Sequence, residues 1–214
     1  MALSLLAGLG GEASPRPIDN PYLPLAPGSR WVCRETDTDG GVQRVVVKVT
    51  RRTKRIATGV TARVVRDTVT EQGRLVEDTF DWYAQDRRGN VWYLGEDTKD
   101  YEKGKVVSTA GSWEAGVNGA RAGIAMPARP RPGLQYRQEH APGAAEDTAR
   151  VLSLDDQAEV PAGHFKRVLL TKDWNPLEPK VLEYKLYARG VGLVLALGVS
   201  GGGGREELLS FKPG

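Results

Sequence analysis

The chain has 214 residues, with 30 Lys and Arg against 27 Asp and Glu, a formal net charge of +3 and a single cysteine. A chain of this length buries about 70% of the surface its unfolded form exposes, so it needs neither a disulfide nor a structural metal to hold a core. Cys33 has no internal disulfide partner and reads as a small buried strand residue within Trp31-Val32-Cys33. The two charge signs are interspersed except at 51–55 (Arg-Arg-Thr-Lys-Arg), a solvated hairpin or strand end, which argues against a nucleic-acid partner.

Residues 2–9 form a short apolar run, too short to span a membrane and lacking the positive start of a complete secretory signal. Residues 1–19 are therefore expected to be a signal remnant or flexible arm, and residues 20–214 a single domain. Leu9 stands where a lipoprotein signal would need its cysteine, so lipid anchoring has no support. No other segment approaches the roughly 20 apolar residues of a membrane helix.

From residue 29 the sequence alternates at period two between Gly-containing turns, and apolar spacing almost nowhere keeps a helical period. The first strand is expected over 30–36, with a tight reversal at 37–41 and a second strand over 42–51. In that second strand Val45, Val47 and Val49 share one face and Arg44, Val46 and Lys48 the other, as in a sheet with one wet side. Residues 60–95 read as a three-stranded meander with reversals near Gly73 and Gly89. A Gly- and Pro-rich connection follows from 95 to 143, with short strands expected at 105–108 and 134–140; connections this long are uncommon unless functional. Strands resume at 148–154, 163–174, 181–188 and 192–197, and Gly201–Gly204 form a turn before a last strand over 206–211. The fold class is all-β: a single antiparallel β-barrel or strongly curled sheet of about ten strands, with a two-sheet sandwich as the alternative.

Asn20-Pro21-Tyr22-Leu23-Pro24-Leu25-Ala26-Pro27-Gly28-Ser29-Arg30-Trp31 and Tyr187-Ala188-Arg189-Gly190-Val191-Gly192-Leu193-Val194 resemble the P-L-x-P-G-x-x-W opening and Y-A-x-G-V-G-L-V close of a group of uncharacterised bacterial secreted proteins and lipoproteins. Asp81–Asp86, Gly89–Tyr93 and Gly111–Gly116 are similar to that group as well, so the resemblance covers nearly everything after residue 19. It implies a secreted or periplasmic domain of lipocalin-like or lipoprotein-carrier-like build, and carries no activity. In such a build the stiff Pro24 and Pro27 lead into Trp31, which plugs one end of the barrel.

The chain has no P-loop, dinucleotide fingerprint, nucleophile elbow or CxxC pair. With only His140 and His164, a three-histidine zinc site is impossible, and neither metal nor cofactor is expected. One constellation carries a functional hypothesis: acids next to aromatics on the 75–97 hairpin. Phe80, Trp82, Tyr83, Trp92, Tyr93 and Trp113 are the candidate ligand-binding residues, and Asp81 and Glu96 the candidate catalytic acids of a hydrolase. The plainer reading is that the aromatics are core and the acids solvent-facing. Two functions follow: binding of an apolar or amphipathic small molecule, or, alternatively, hydrolysis of a glycoside by paired carboxyls. A protein partner engaged by the long connection is a third. The connection is also expected to cover any pocket as a lid.

Overall fold

The computed structural model describes residues 16–201 and 204–214, so the expectations for residues 1–15 and for the middle of the tetraglycine turn lie outside the described residues. Sixteen strands are described, and there is no helix among the described residues. A small lead-in hairpin, β1 (Asp19–Asn20) and β2 (Leu23–Pro24), comes first. It is followed by β3 (Arg30–Thr36), β4 (Val42–Arg55), β5 (Thr61–Glu71), β6 (Arg74–Gln85) and β7 (Val91–Glu102). The long connection supplies four short strands, β8 (Lys105–Ser108), β9 (Trp113–Glu114), β10 (Gly123–Met126) and β11 (Gln135–Arg137). The second half comprises β12 (Thr148–Val160), β13 (Gly163–Trp174), β14 (Leu182–Ala188), β15 (Gly192–Ser200) and β16 (Arg205–Lys212).

Apart from the lead-in hairpin, all these strands belong to one antiparallel sheet of 14 strands, ordered β10-β7-β6-β5-β4-β3-β16-β15-β14-β13-β12-β11, with β8 and β9 also paired to β7. The expectation of about ten strands thus undercounts: β1, β2, β9 and β10 are the strands the sequence does not announce, because two- to four-residue strands leave no readable period. One continuous sheet, rather than two stacked ones, carries the fold. Its end strands come together: the Arg121 amide donates to the His140 carbonyl at 2.9 Å, just before β10 and just after β11. Gly123 lies against the backbone of Gln138, where a Cβ would collide. The sheet therefore curls back on itself, leaving few unpaired edges to template aggregation.

Curling gives the sheet an inner and an outer face, and the alternation of side chains assigns residues to them. In register, Trp31 lies opposite Val47, Val47 opposite Asp67 and Asp67 opposite Thr79. The inner face carries the larger apolar cluster, including Val45, Val49, Val65, Val151, Leu169 and Leu208, each almost fully buried. Burying such a side chain contributes about 1.5–3 kcal/mol. A second cluster lies on the outer face of β5–β7, where Ile56, Val64, Trp82, Trp92 and Leu94 pack under Trp113, Ala115, Ala120, Ala141 and Ala145 from the connection.

The lead-in segment closes one end. Ile18, Tyr22 and Leu25 are buried, so the chain joins the core at Ile18, within the stretch expected to be an arm. The Gly190 amide donates to the Pro21 carbonyl at 2.7 Å, and Trp31 donates through Nε1 to the Val191 carbonyl at 2.7 Å while its ring packs 4.9 Å from Phe211. The two motifs that carried the sequence resemblance thus meet each other in space.

Candidate functional site: an acidic cavity inside the sheet

A cavity of about 420 Å³ lies within the curl of the sheet. Part of its wall is apolar, from Leu23, Leu25, Trp31, Val47, Val65 and Leu193. The rest carries carboxyls from distant parts of the chain: Asp67 on β5, Asp81 on β6, Glu139 from the connection, Asp147 just before β12 and Glu206 on β16. Among the described residues Lys185 on β14 is the one cation on this wall, and Tyr83, Tyr93, Tyr187 and Cys33 stand among the acids.

Around Tyr93 the geometry is tight. Asp81 and Glu96 face each other directly across β6 and β7. The Tyr93 hydroxyl donates to Asp81 Oδ1 at 2.6 Å and also reaches Glu96, while its ring stacks on Tyr83 at 4.8 Å. Gly95, at φ 125°, sits between Tyr93 and Glu96 where the register shifts; a side chain there would strike the Trp113 carbonyl. The glycine therefore permits both the bulge and the close pairing of β9.

Burial sets the protonation of this cluster. It pushes the Asp81 carboxyl up to about 6, against the hydrogen bond from Tyr93. It pushes Glu96 up to about 8, with the Asp81 charge adding to the effect. Asp67 is held well above the usual carboxylate range by burial and then by Asp81 and Glu206, and its Oδ1 is buried without a hydrogen-bond partner. Glu139 is raised by burial and by its hydrogen bond with Asp147. Glu206 is raised by burial although the Cys33 thiol hydrogen-bonds to it. Burial pushes the Cys33 thiol up in turn, so it stays protonated and a poor nucleophile. Burial would lower Lys185, but Asp173 and the groups beside it hold it well above its ordinary value.

The structure divides the expected site residues between the two faces. Asp81, Tyr83 and Tyr93 line the cavity. Glu96 is opposite Asp81 and borders a second recess with Lys54, Trp82, Ser112 and Trp113. Phe80, Trp82 and Trp92 do not line the cavity: Phe80 and Trp82 alternate with Asp81 and Tyr83 and so point to the outer face. There Arg52 and Arg66 flank Phe80, Lys54 sits 3.7 Å from the centre of the Trp82 ring, and Trp92 donates to Asp86 at 3.0 Å. Trp113 packs edge-on to Tyr93 at 5.4 Å from the outer cluster. The long connection covers that outer face and adds β10 and β11 to the sheet; only Ala125, Gln138 and Glu139 of it reach the cavity.

Glu139 stands out in the sequence only as an acid near Tyr136, and Asp67, Asp147, Lys185 and Glu206 are not singled out by it. A signal existed for three of them. Asp67 falls in phase with Val65 and Val69, Lys185 with Tyr187, and Glu206 with Leu208, charged residues at positions where the period places inward side chains. His140 and His164 lie at the surface, His164 beside Gln157 and His140 between Arg121 and Arg137. Among the described residues no group of three or more His, Cys, Asp or Glu is arranged to hold a metal ion, and no helix is long and apolar enough to cross a membrane.

No family model matches the chain, and no curated protein matches it. Among solved structures the chain is similar to a "putative lipoprotein" from Parabacteroides distasonis ATCC 8503, at 12% identity and a TM-score of 0.47, over 89% of this chain and 98% of that one. The likeness is too loose to assign a family.

Proposed function

We propose that this domain is an extracytoplasmic binding protein that holds an amphipathic small molecule inside a lipocalin-like barrel. The observation that carries the reading is the cavity itself: its 420 Å³ falls within the roughly 300–1,000 Å³ of small-molecule sites, and its wall is apolar on one part and polar on another. The meeting of β10 and β11 supports a closed barrel, and the sequence resemblance of residues 20–31 and 187–194 supports a place outside the cytoplasm. Trp31 on the cavity wall is a built-in reporter. Titration with a panel of lipids, alkanols and sugars should give a saturable change in its emission for an amphipathic member, and no saturable response to any member would overturn the reading.

A second reading, glycoside hydrolysis, is favoured by one observation: the facing pair Asp81 and Glu96 has its carboxyls pushed apart, to about 6 and about 8. Near pH 7 this leaves Asp81 mostly ionised, as nucleophile or base, and Glu96 mostly protonated, as acid. Directly opposed strand residues have Cβ atoms about 4.5–5.5 Å apart, so the two carboxyls can approach each other as the paired carboxyls of a retaining enzyme do. Chromogenic glycosides decide it: turnover that falls by orders of magnitude in Asp81→Asn and Glu96→Gln would support catalysis, and no turnover by the native protein would remove it.

A further inference from the structure

Among the described residues five carboxyls, those of Asp67, Asp81, Glu139, Asp147 and Glu206, line the cavity, against the single ammonium of Lys185. That ammonium is already engaged elsewhere, 3.2 Å from Glu183 and 3.8 Å from Asp173, neither of which is on the cavity wall. On the outside of the protein the pattern is the reverse. Arg66 forks onto Asp78 at 2.7 and 2.9 Å, Arg34 and Arg205 both hold Glu207, and Lys54 holds Glu114. Each of these outer-side acids is given a protein cation at ion-pair distance, whereas in the cavity Asp67, Asp81, Glu139 and Glu206 are raised by burial, with the Lys185 charge countering this only at Glu139 and Glu206. Asp67 states the deficit at one atom: its Oδ1 is buried, has no hydrogen-bond partner and belongs to a side chain that faces the cavity.

Resting on the reading of the cavity as a binding site, we infer that its ligand carries a cationic head, an ammonium or guanidinium, on an apolar body. A cationic head supplies the missing counter-charge and N–H donors to Asp67 and its neighbours, and charge-assisted bonds of this type are the strong ones. A neutral polar head leaves the raised carboxyls protonated and gains no charge pairing, and an anionic head finds Lys185 already paired and is repelled by the carboxyls that stay ionised, Asp81 among them at pH 7.5. The stacked rings of Tyr83 and Tyr93 border the same carboxyls and offer aromatic surface to a cation. The apolar body lies along Leu25, Trp31, Val47 and Leu193.

The test is calorimetric titration of the full chain at about pH 7.5 with three probes of one chain length, octylammonium, octanol and octanoate, and the expected order is octylammonium about ten-fold or more tighter than octanol, with octanoate weakest. Asp67→Asn and, separately, Glu206→Gln should narrow the ratio of ammonium to alcohol affinity toward one; circular dichroism establishes that each variant is folded. Octanol or octanoate binding as tightly as octylammonium would overturn the cationic head while leaving a small-molecule cavity intact. Failure of all three probes to bind would overturn the head-group inference together with the binding function beneath it.

Discussion

Asp81 on β6 and Glu96 on β7 stand directly opposite each other, and the Tyr93 hydroxyl that donates to Asp81 at 2.6 Å also reaches Glu96. Tyr93→Phe keeps the ring and removes the hydroxyl. The hydrogen bond lowers the Asp81 carboxyl, so its loss should raise Asp81 above its native value of about 6, which carboxyl-carbon NMR titration reads directly. An unchanged Asp81 titration in Tyr93→Phe would mean that the hydroxyl is aimed elsewhere.

The same burial links stability to pH with a definite sign. Asp81 and Glu96 have folded values raised to about 6 and about 8 from 3.8 and 4.5, and Asp67, Glu139, Glu206, Glu35 and Asp173 are raised too. A carboxyl raised on folding makes the native state bind more protons than the unfolded one, so stability falls as pH rises from the unfolded to the folded value. The groups facing this cluster are Cys33 and Glu35 from β3, Tyr83, Tyr93 and Glu77 from β6 and β7, Asp147, and Lys185, Glu183 and Tyr187 from β14. Lys185 is raised and stays charged throughout the neutral range. Asp86 and Glu207 are lowered and oppose the trend only in acid below their unfolded values, and the lowered His140 opposes it below about pH 6.5. Melting temperature should therefore fall between pH 5 and pH 8, with a shallower slope in Glu96→Gln. A profile that rises across this interval would contradict the buried ionisation described here.

Trp31→Ala should cost about 3–5 kcal/mol, the range for deleting a buried large aromatic. Trp31 is 6% exposed, packs on Phe211 and satisfies the Val191 carbonyl, so the loss removes packing and a hydrogen bond together. Chemical denaturation measures it, and Trp31→Phe should recover part of the loss.

At the seam, Gly123→Ala places a methyl against the Gln138 backbone. Overpacking at a backbone contact costs about 1–3 kcal/mol. The expected signature is local: faster hydrogen exchange of the Arg121 amide, whose bond to the His140 carbonyl joins the sheet ends, with little change at the β4–β5 ladder.

The long strands were legible because their periods are unbroken. Val45, Val47 and Val49 point inward in the structure as their alternation requires, and the reversals at Gly73 and Gly89 both fall between paired strands. The site was legible only along one hairpin. Asp81, Tyr83 and Tyr93 are local to it and Asp67 is on the strand beside it, whereas Asp147, Lys185 and Glu206 come from the far half of the chain; the period marks Asp67, Lys185 and Glu206 as inward but not which inward residues meet. The aromatic richness of the hairpin misled for a physical reason. Residues one apart on a strand face opposite sides, so Phe80 and Trp82 went to the outer cluster that the connection covers.

The most direct test of the cavity as the working site is chemical-shift mapping of the isotopically labelled protein during titration with octylammonium. The expected result is saturable shifts of the Leu23, Leu25, Val47, Val65 and Leu193 methyls and of the Trp31 indole, residues brought together only inside the sheet, with Trp82 and Trp92 on the outer face unmoved. Saturable shifts confined to Trp82, Trp92 and their neighbours, or none at all, would contradict it.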